Sequence, residues 1–138
     1  MWELRRISLL ASTLVVCAFA LAVNASAFDL TGAWAGDADN CAKVFARKGG
    51  QIIFTDNSDV YGSGFIVDGD QIIGRFARCR IKARKVDGPN VNLIAACASD
   101  IMLSSVQLSA KELDANTLLR LFPGMEGMEI KYYRCPSP

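Results

Sequence analysis

Histidine is missing from all 138 residues, and that absence removes more chemistry than any other feature of the chain. It takes away the usual general base, the commonest zinc ligand and the natural switch near neutral pH. Serine–histidine and cysteine–histidine nucleophile systems are excluded with it. An excess of charge is lacking too. Setting aside the first 27 residues, which hold Arg5, Arg6 and Glu3, turns fifteen basic and fourteen acidic side chains into thirteen of each. A neutral domain lacks the field for general nucleic-acid binding or for broad attraction to anionic membranes.

There is no Cys-x-x-Cys pair, no internal repeat, no low-complexity stretch and no linker. The carboxylate clusters are weak. Asp37-Ala38-Asp39-Asn40 lacks the glycine and the distal glutamate of an EF-hand loop. Asp56-Asn57-Ser58-Asp59 and Asp68-Gly69-Asp70 read as ordinary turns. No metal site, no cofactor and no catalytic residue is expected, and nothing points to a paired-carboxylate hydrolase.

What is present begins with a leader. Met1 to Arg6 is short and basic, and Ile7 to Val23 is almost wholly apolar. Asn24-Ala25-Ser26-Ala27 then offers small residues at the positions a signal peptidase accepts, placing the cut before Phe28. An uncleaved anchor is the weaker alternative, because the apolar run has 17 residues and carries Ser8, Ser12 and Thr13. Val16 before Cys17 is not the small residue that lipoprotein processing needs. Export to the periplasm or beyond is expected, with residues 1–27 as a cleaved signal peptide and 28–138 as a single β-barrel domain that keeps no membrane anchor.

Four cysteines remain: Cys41, Cys79, Cys97 and Cys135, at spacings of 38, 18 and 38. In an exported chain of this size they read as two disulfides, in preference to a zinc site or a catalytic thiol. Short apolar stretches alternate with turn residues at intervals of about ten, the pattern of an all-β meander. Strands are expected over Leu30–Ala35, Gln51–Thr55, Val60–Val67, Gln71–Phe76, Arg78–Lys85, Val91–Ala98, Leu103–Lys111, Thr117–Phe122 and Ile130–Cys135. Between the first two, Asp39 or Asn40 is expected to cap a short helix over Cys41–Lys48 that Gly49-Gly50 stops. A small antiparallel meander barrel of about eight strands buries the apolar face and removes the sheet edges.

The hairpin about Gly88 supplies a register. With Gly88 at the centre, Lys85 faces Val91, Ala83 faces Leu93, Ile81 faces Ala95 and Cys79 faces Cys97. The same alignment gathers Cys79, Ile81, Ala83, Leu93, Ala95 and Cys97 on one apolar face. It favours a cross-strand Cys79–Cys97 bridge and leaves Cys41–Cys135 to tie the first loop to the last strand. On the opposite face Arg78, Arg80, Lys82 and Arg84 follow at alternate positions, with Arg75 and Lys85 near the ends. Six of the thirteen basic residues fall within eleven positions, and no acidic residue lies between Asp70 and Asp87. Side chains spaced about 6.7 Å apart form a cationic stripe, read either as an anion-binding surface or as a solvated outer face.

Leu30-Thr31-Gly32-Ala33-Trp34 carries a Gly-x-Trp in the first strand. It resembles the lipocalin and wider calycin barrels, where such a tryptophan plugs the closed end, and small bacterial envelope proteins that inhibit proteases or lysozyme on similar barrels. From Gly32 to Cys135 the chain also resembles small exported proteins of Gram-negative bacteria with no established function. The resemblance implies Trp34 as a barrel-end plug.

Phe122-Pro123-Gly124-Met125-Glu126-Gly127-Met128-Glu129 is the last unusual stretch. Pro123-Gly124 fits a type II turn, and Met125 and Met128 serve either as adaptable contact surface or as a cap on the barrel end. The expected function is a non-catalytic binding protein for an apolar or anionic envelope ligand. The alternative is an inhibitor or accessory factor acting on an envelope protein through its end loops.

Overall fold

The computed structural model describes residues 28–137; the leader expected over 1–27 lies outside them. In chain order the elements are β1 (Gly32–Ala35), a 3-10 turn (Ala38–Asn40), α1 (Cys41–Val44), β2 (Phe45–Lys48), β3 (Gln51–Phe54) and a second 3-10 turn (Ser58–Tyr61). There follow β4 (Gly64–Asp68), β5 (Gln71–Ile73), β6 (Ala77–Asp87), β7 (Asn90–Ser99), β8 (Leu103–Asp114), β9 (Thr117–Leu121) and β10 (Glu129–Arg134). Eight of these strands close an antiparallel barrel: β4 to β10 follow one another in sequence, and β1 bridges β10 and β4. The all-β meander barrel, the helical turn after strand one and both disulfides, Cys41–Cys135 and Cys79–Cys97, are as expected.

Two cores lie on opposite faces of β1. Trp34 points into the barrel and packs with Phe28, Leu30, Val67, Val91, Leu93, Leu118 and Tyr132. Ala33 and Ala35 point outward with Ile66, beneath Val44 and Phe45 of the segment between β1 and β4. Strand β1 is therefore apolar on both faces, as a strand buried on both sides must be. The small outward alanines let the second layer approach. Gly64 serves the same purpose on β4, where an added Cβ would stand 2.9 Å from both the Phe45 ring and the Trp34 carbonyl oxygen.

That second layer departs from expectation. The helix spans only Cys41–Val44, and Phe45–Lys48 is a strand paired with Gln51–Phe54. Gly49 and Gly50 both take left-handed φ, 57° and 79°, which makes them a two-residue hairpin turn rather than a helix stop. Phe45 is buried in the second core, so extended backbone here gains packing that one more helical turn would forfeit. The capping carboxylate is that of Asp37, which accepts from the Asp39 N–H at 3.0 Å; neither Asp39 nor Asn40 caps by its side chain. Val60 belongs to a 3-10 turn, and its strand starts only at Gly64.

The register between β6 and β7 is half as expected. Cys79 faces Cys97 and Ile81 faces Ala95, but Ala83 faces Ile94 and Lys85 faces Asn92. Asp87 pairs with Asn90 about a two-residue Gly88-Pro89 turn, and a bulge at Lys82 absorbs the difference of one residue. Beyond the bulge the facing parity inverts, so Ala83 leaves the apolar face and Arg84 joins Leu93 on it.

Candidate functional site

The end of the barrel near β1's first residue is closed by the segment Phe28–Leu30, whose two apolar side chains enter the interior core. Trp34, with no exposed surface, donates its indole N–H to the Leu30 carbonyl at 2.8 Å. The Phe65 ring stacks near it and the Phe28 ring meets it edge-on, with centroids 6.2 and 6.0 Å away. The Arg134 guanidinium lies over the indole at 4.3 Å. From there it donates to the carbonyls of Asp29 at 2.6 Å and Ala115 at 3.1 Å, and to that of Thr31. Arg84 donates to the Phe28 carbonyl. The backbone N–H and hydroxyl of Thr31 bond to the Asp29 carboxylate and, with Arg134 and Arg84 nearby, hold its pKa below the ordinary value. This end is a packed closure, and every contact on it ties chain to chain.

The four cations expected on one face are thus divided. Arg78 and Arg80 project outward opposite Ala98 and Ala96. Lys82 is the exposed residue of the bulge, and Arg84 bonds across the closed end of the barrel. Arg80 lies 3.7 Å from Asp70, with both side chains about 60% exposed, a pair that holds little. Met125 and Met128 are 57% and 53% exposed, so neither is consumed in capping the barrel. Their loop forms one wall of a shallow groove of about 520 Å³ against Asn92 and Ser109 on the outer sheet face.

A larger groove, about 870 Å³, runs between the β2–β3 hairpin and the outer face of β4, β5 and β6. Ile52, Phe54, Ile66 and Ile73 give it an apolar floor, and these side chains extend from the second core. Arg47 on the hairpin, Arg75 on the β5–β6 loop and Arg78 on β6 border it. Arg75 also donates to the Asp56 carbonyl at 2.7 Å, joining the barrel wall to the chain just past β3. Asp68 and Asp100 stand on the rim as well, so three guanidiniums meet two carboxylates there. Of these residues, sequence reasoning singled out only Arg78, with Arg75 as a neighbour. Arg47 and the floor were missed because the groove exists only once Phe45–Lys48, expected as helix, pairs with the strand Gln51–Phe54 and the hairpin folds back over the sheet.

Among the described residues no helix is long and apolar enough to cross a membrane, and no three histidine, cysteine, aspartate or glutamate side chains cluster as metal ligands would. The buried cluster inside the barrel is apolar, although Arg84, Glu112 and Arg120 share its face by register. The outer face carries Arg78, Arg80, Ser105, Gln107 and Lys111, where a lipid-embedded barrel presents an apolar band. The fold and its cross-links define a small disulfide-bonded closed β-barrel protein with an external groove. No family model, curated protein or solved structure matches the chain.

Proposed function

We propose that this chain is an exported, non-catalytic binding protein that holds an amphiphile with an apolar body and an anionic head in the groove beside the β2–β3 hairpin. The observation that carries the reading is the pairing of an apolar floor (Ile52, Phe54, Ile66, Ile73) with three guanidiniums on the walls. Ligand sites combine those two elements: apolar lining for affinity, and a few placed polar groups for orientation. Two disulfides and the leader pattern support an oxidising compartment such as the periplasm. The groove stands outside the barrel, since the interior is occupied by the Trp34 cluster.

The test uses anilinonaphthalene sulfonate, an aromatic body with one sulfonate, and the purified mature protein. Saturable binding is expected, weakened at least fivefold by Arg47→Gln combined with Ile53→Ser, two groove residues on the hairpin. Dodecanoate should displace the probe and dodecyltrimethylammonium should not. Undiminished binding in the double variant, or equal displacement by both amphiphiles, overturns the reading.

A second reading is favoured by the filled interior and the exposed methionines: an inhibitor or accessory factor that docks an envelope enzyme through the loop carrying Met125 and Met128. Loops on a rigid scaffold commonly carry such contacts, and flexible thioethers adapt to a partner surface.

A further inference from the structure

Two loops meet at the barrel end opposite the Trp34 closure. Ala77 pairs with Ser99, which sets the β5–β6 loop carrying Phe76 beside the β7–β8 loop carrying Ile101, Met102 and the start of β8 at Leu103. The second loop turns tightly, with the Ser99 N–H donating to the Met102 carbonyl at 2.9 Å. Phe76 is 73% exposed, Ile101 93%, Met102 62% and Leu103 83%. Single exposed apolar side chains are ordinary. Four large ones on adjacent loops are a patch, and folding gains nothing from them. Turns favour glycine, asparagine, aspartate and serine, so Ile-Met-Leu at a tip calls for an explanation outside the fold.

Cations border the patch. Arg75 lies over the Phe76 ring at 5.7 Å. Arg78 stands directly opposite Ala98, and Ala98 directly opposite Leu103, so one outward row runs from guanidinium to apolar tip. Asp100 is the carboxylate at the turn. From this arrangement we infer that the Phe76–Leu103 lip docks the protein on an anionic phospholipid bilayer. Ile101, Met102, Leu103 and Phe76 enter the acyl boundary, and Arg75 and Arg78 rest among the phosphates. Arginine suits this position because its stem is apolar and its head stays at the polar level. The attraction is local: a neutral protein has no long-range pull toward a membrane, so apolar contact and adjacent cations must act together.

The groove borders the same lip through Arg75, Phe76 and Arg78. The docking surface does not rest on the amphiphile reading and survives its failure.

The experiment is sedimentation of the mature protein with vesicles of phosphatidylcholine alone or mixed with phosphatidylglycerol. Wild-type protein should pellet with the mixed vesicles and much less with phosphatidylcholine. Ile101→Ser with Leu103→Ser should weaken binding at least tenfold, with native Trp34 emission certifying the fold. Arg75→Gln with Arg78→Gln should weaken binding about fivefold per guanidinium, the usual effect of a basic side chain at an anionic surface. Arg47→Gln with Ile53→Ser, which alters the groove away from the lip, should leave vesicle binding unchanged. Failure of the wild-type protein to pellet, or equal pelleting by the Ile101/Leu103 variant, overturns the proposal. So does self-association that the same variant abolishes in the absence of vesicle binding, which would assign the lip to a second copy of the chain.

Discussion

Arg134→Gln is the most informative single change, because one side chain joins four parts of the closed end. Its guanidinium donates to the carbonyls of Asp29, Thr31 and Ala115 and covers the Trp34 ring. A hydrogen bond from a charged donor contributes about 1.5–3 kcal/mol when well shielded, and less where water can replace the donor. These carbonyls are solvent-accessible, so about 0.7 kcal/mol each is the fitting value. The cation over a buried indole adds roughly 1 kcal/mol. The expected cost is about 3 kcal/mol, a large share of the roughly 5–15 kcal/mol that holds a domain of this size. Urea unfolding followed by Trp34 fluorescence measures it. Arg134→Lys should recover less than half, since an ammonium cannot address three carbonyls and the ring at once. Hydrogen exchange should accelerate first over 28–31 in both variants. A loss below about 1 kcal/mol, or a lysine variant as stable as wild type, refutes the idea that this guanidinium locks the N-terminal segment across the barrel.

Two further outcomes follow from the same region and from its neighbour. Gly64→Ala should cost about 1–3 kcal/mol in chemical denaturation, because the added methyl meets the Trp34 carbonyl as well as the Phe45 ring, and backbone cannot step aside. Asp29 should titrate below an ordinary aspartate by NMR, chiefly through the Thr31 N–H, and Arg134→Gln should raise its midpoint. A depressed folded pKa gives stability that is present above the unfolded value near 3.9 and is lost as pH falls through the folded one. For so exposed a carboxylate the loss should stay under about 1 kcal/mol.

The barrel was legible because its information is local. Apolar runs separated by Asp-Gly and Gly-Pro turns specify hairpins one at a time, and six successive hairpins carry the chain from β4 to β10, leaving only β1 to close the barrel by long-range pairing with β4 and β10. The Cys79–Cys97 bridge was legible from the hairpin about Gly88, although the real turn, Gly88-Pro89, would by itself set Cys79 against Ala98. It is the bulge at Lys82 that restores the opposition to Cys97; the remaining pair follows. Arg134 carried no such signal. Its partners Asp29 and Thr31 lie more than a hundred residues away in sequence, and nothing near Arg134 marks it as different from any other cation.

The cationic stripe shows how one residue decides a surface. A strand's side chains alternate with a period of two, so a single inserted residue moves everything beyond it to the other face. Lys82 is that residue. Before it, Arg78 and Arg80 lie outward and belong with the exposed Ala96, Ala98 and Leu103 across the sheet; after it, Arg84 turns to the Phe28 carbonyl and serves the closure. One run of basic residues therefore supplies two separate structures at opposite ends of the barrel. What stands beside the apolar lip is not a line of four charges but Arg78 alone of that run, joined by Arg75 from the β5–β6 loop. The chemistry that such a surface fits changes accordingly, from a free polyanion, which needs charge alone, to an assembly that offers phosphates and hydrocarbon together.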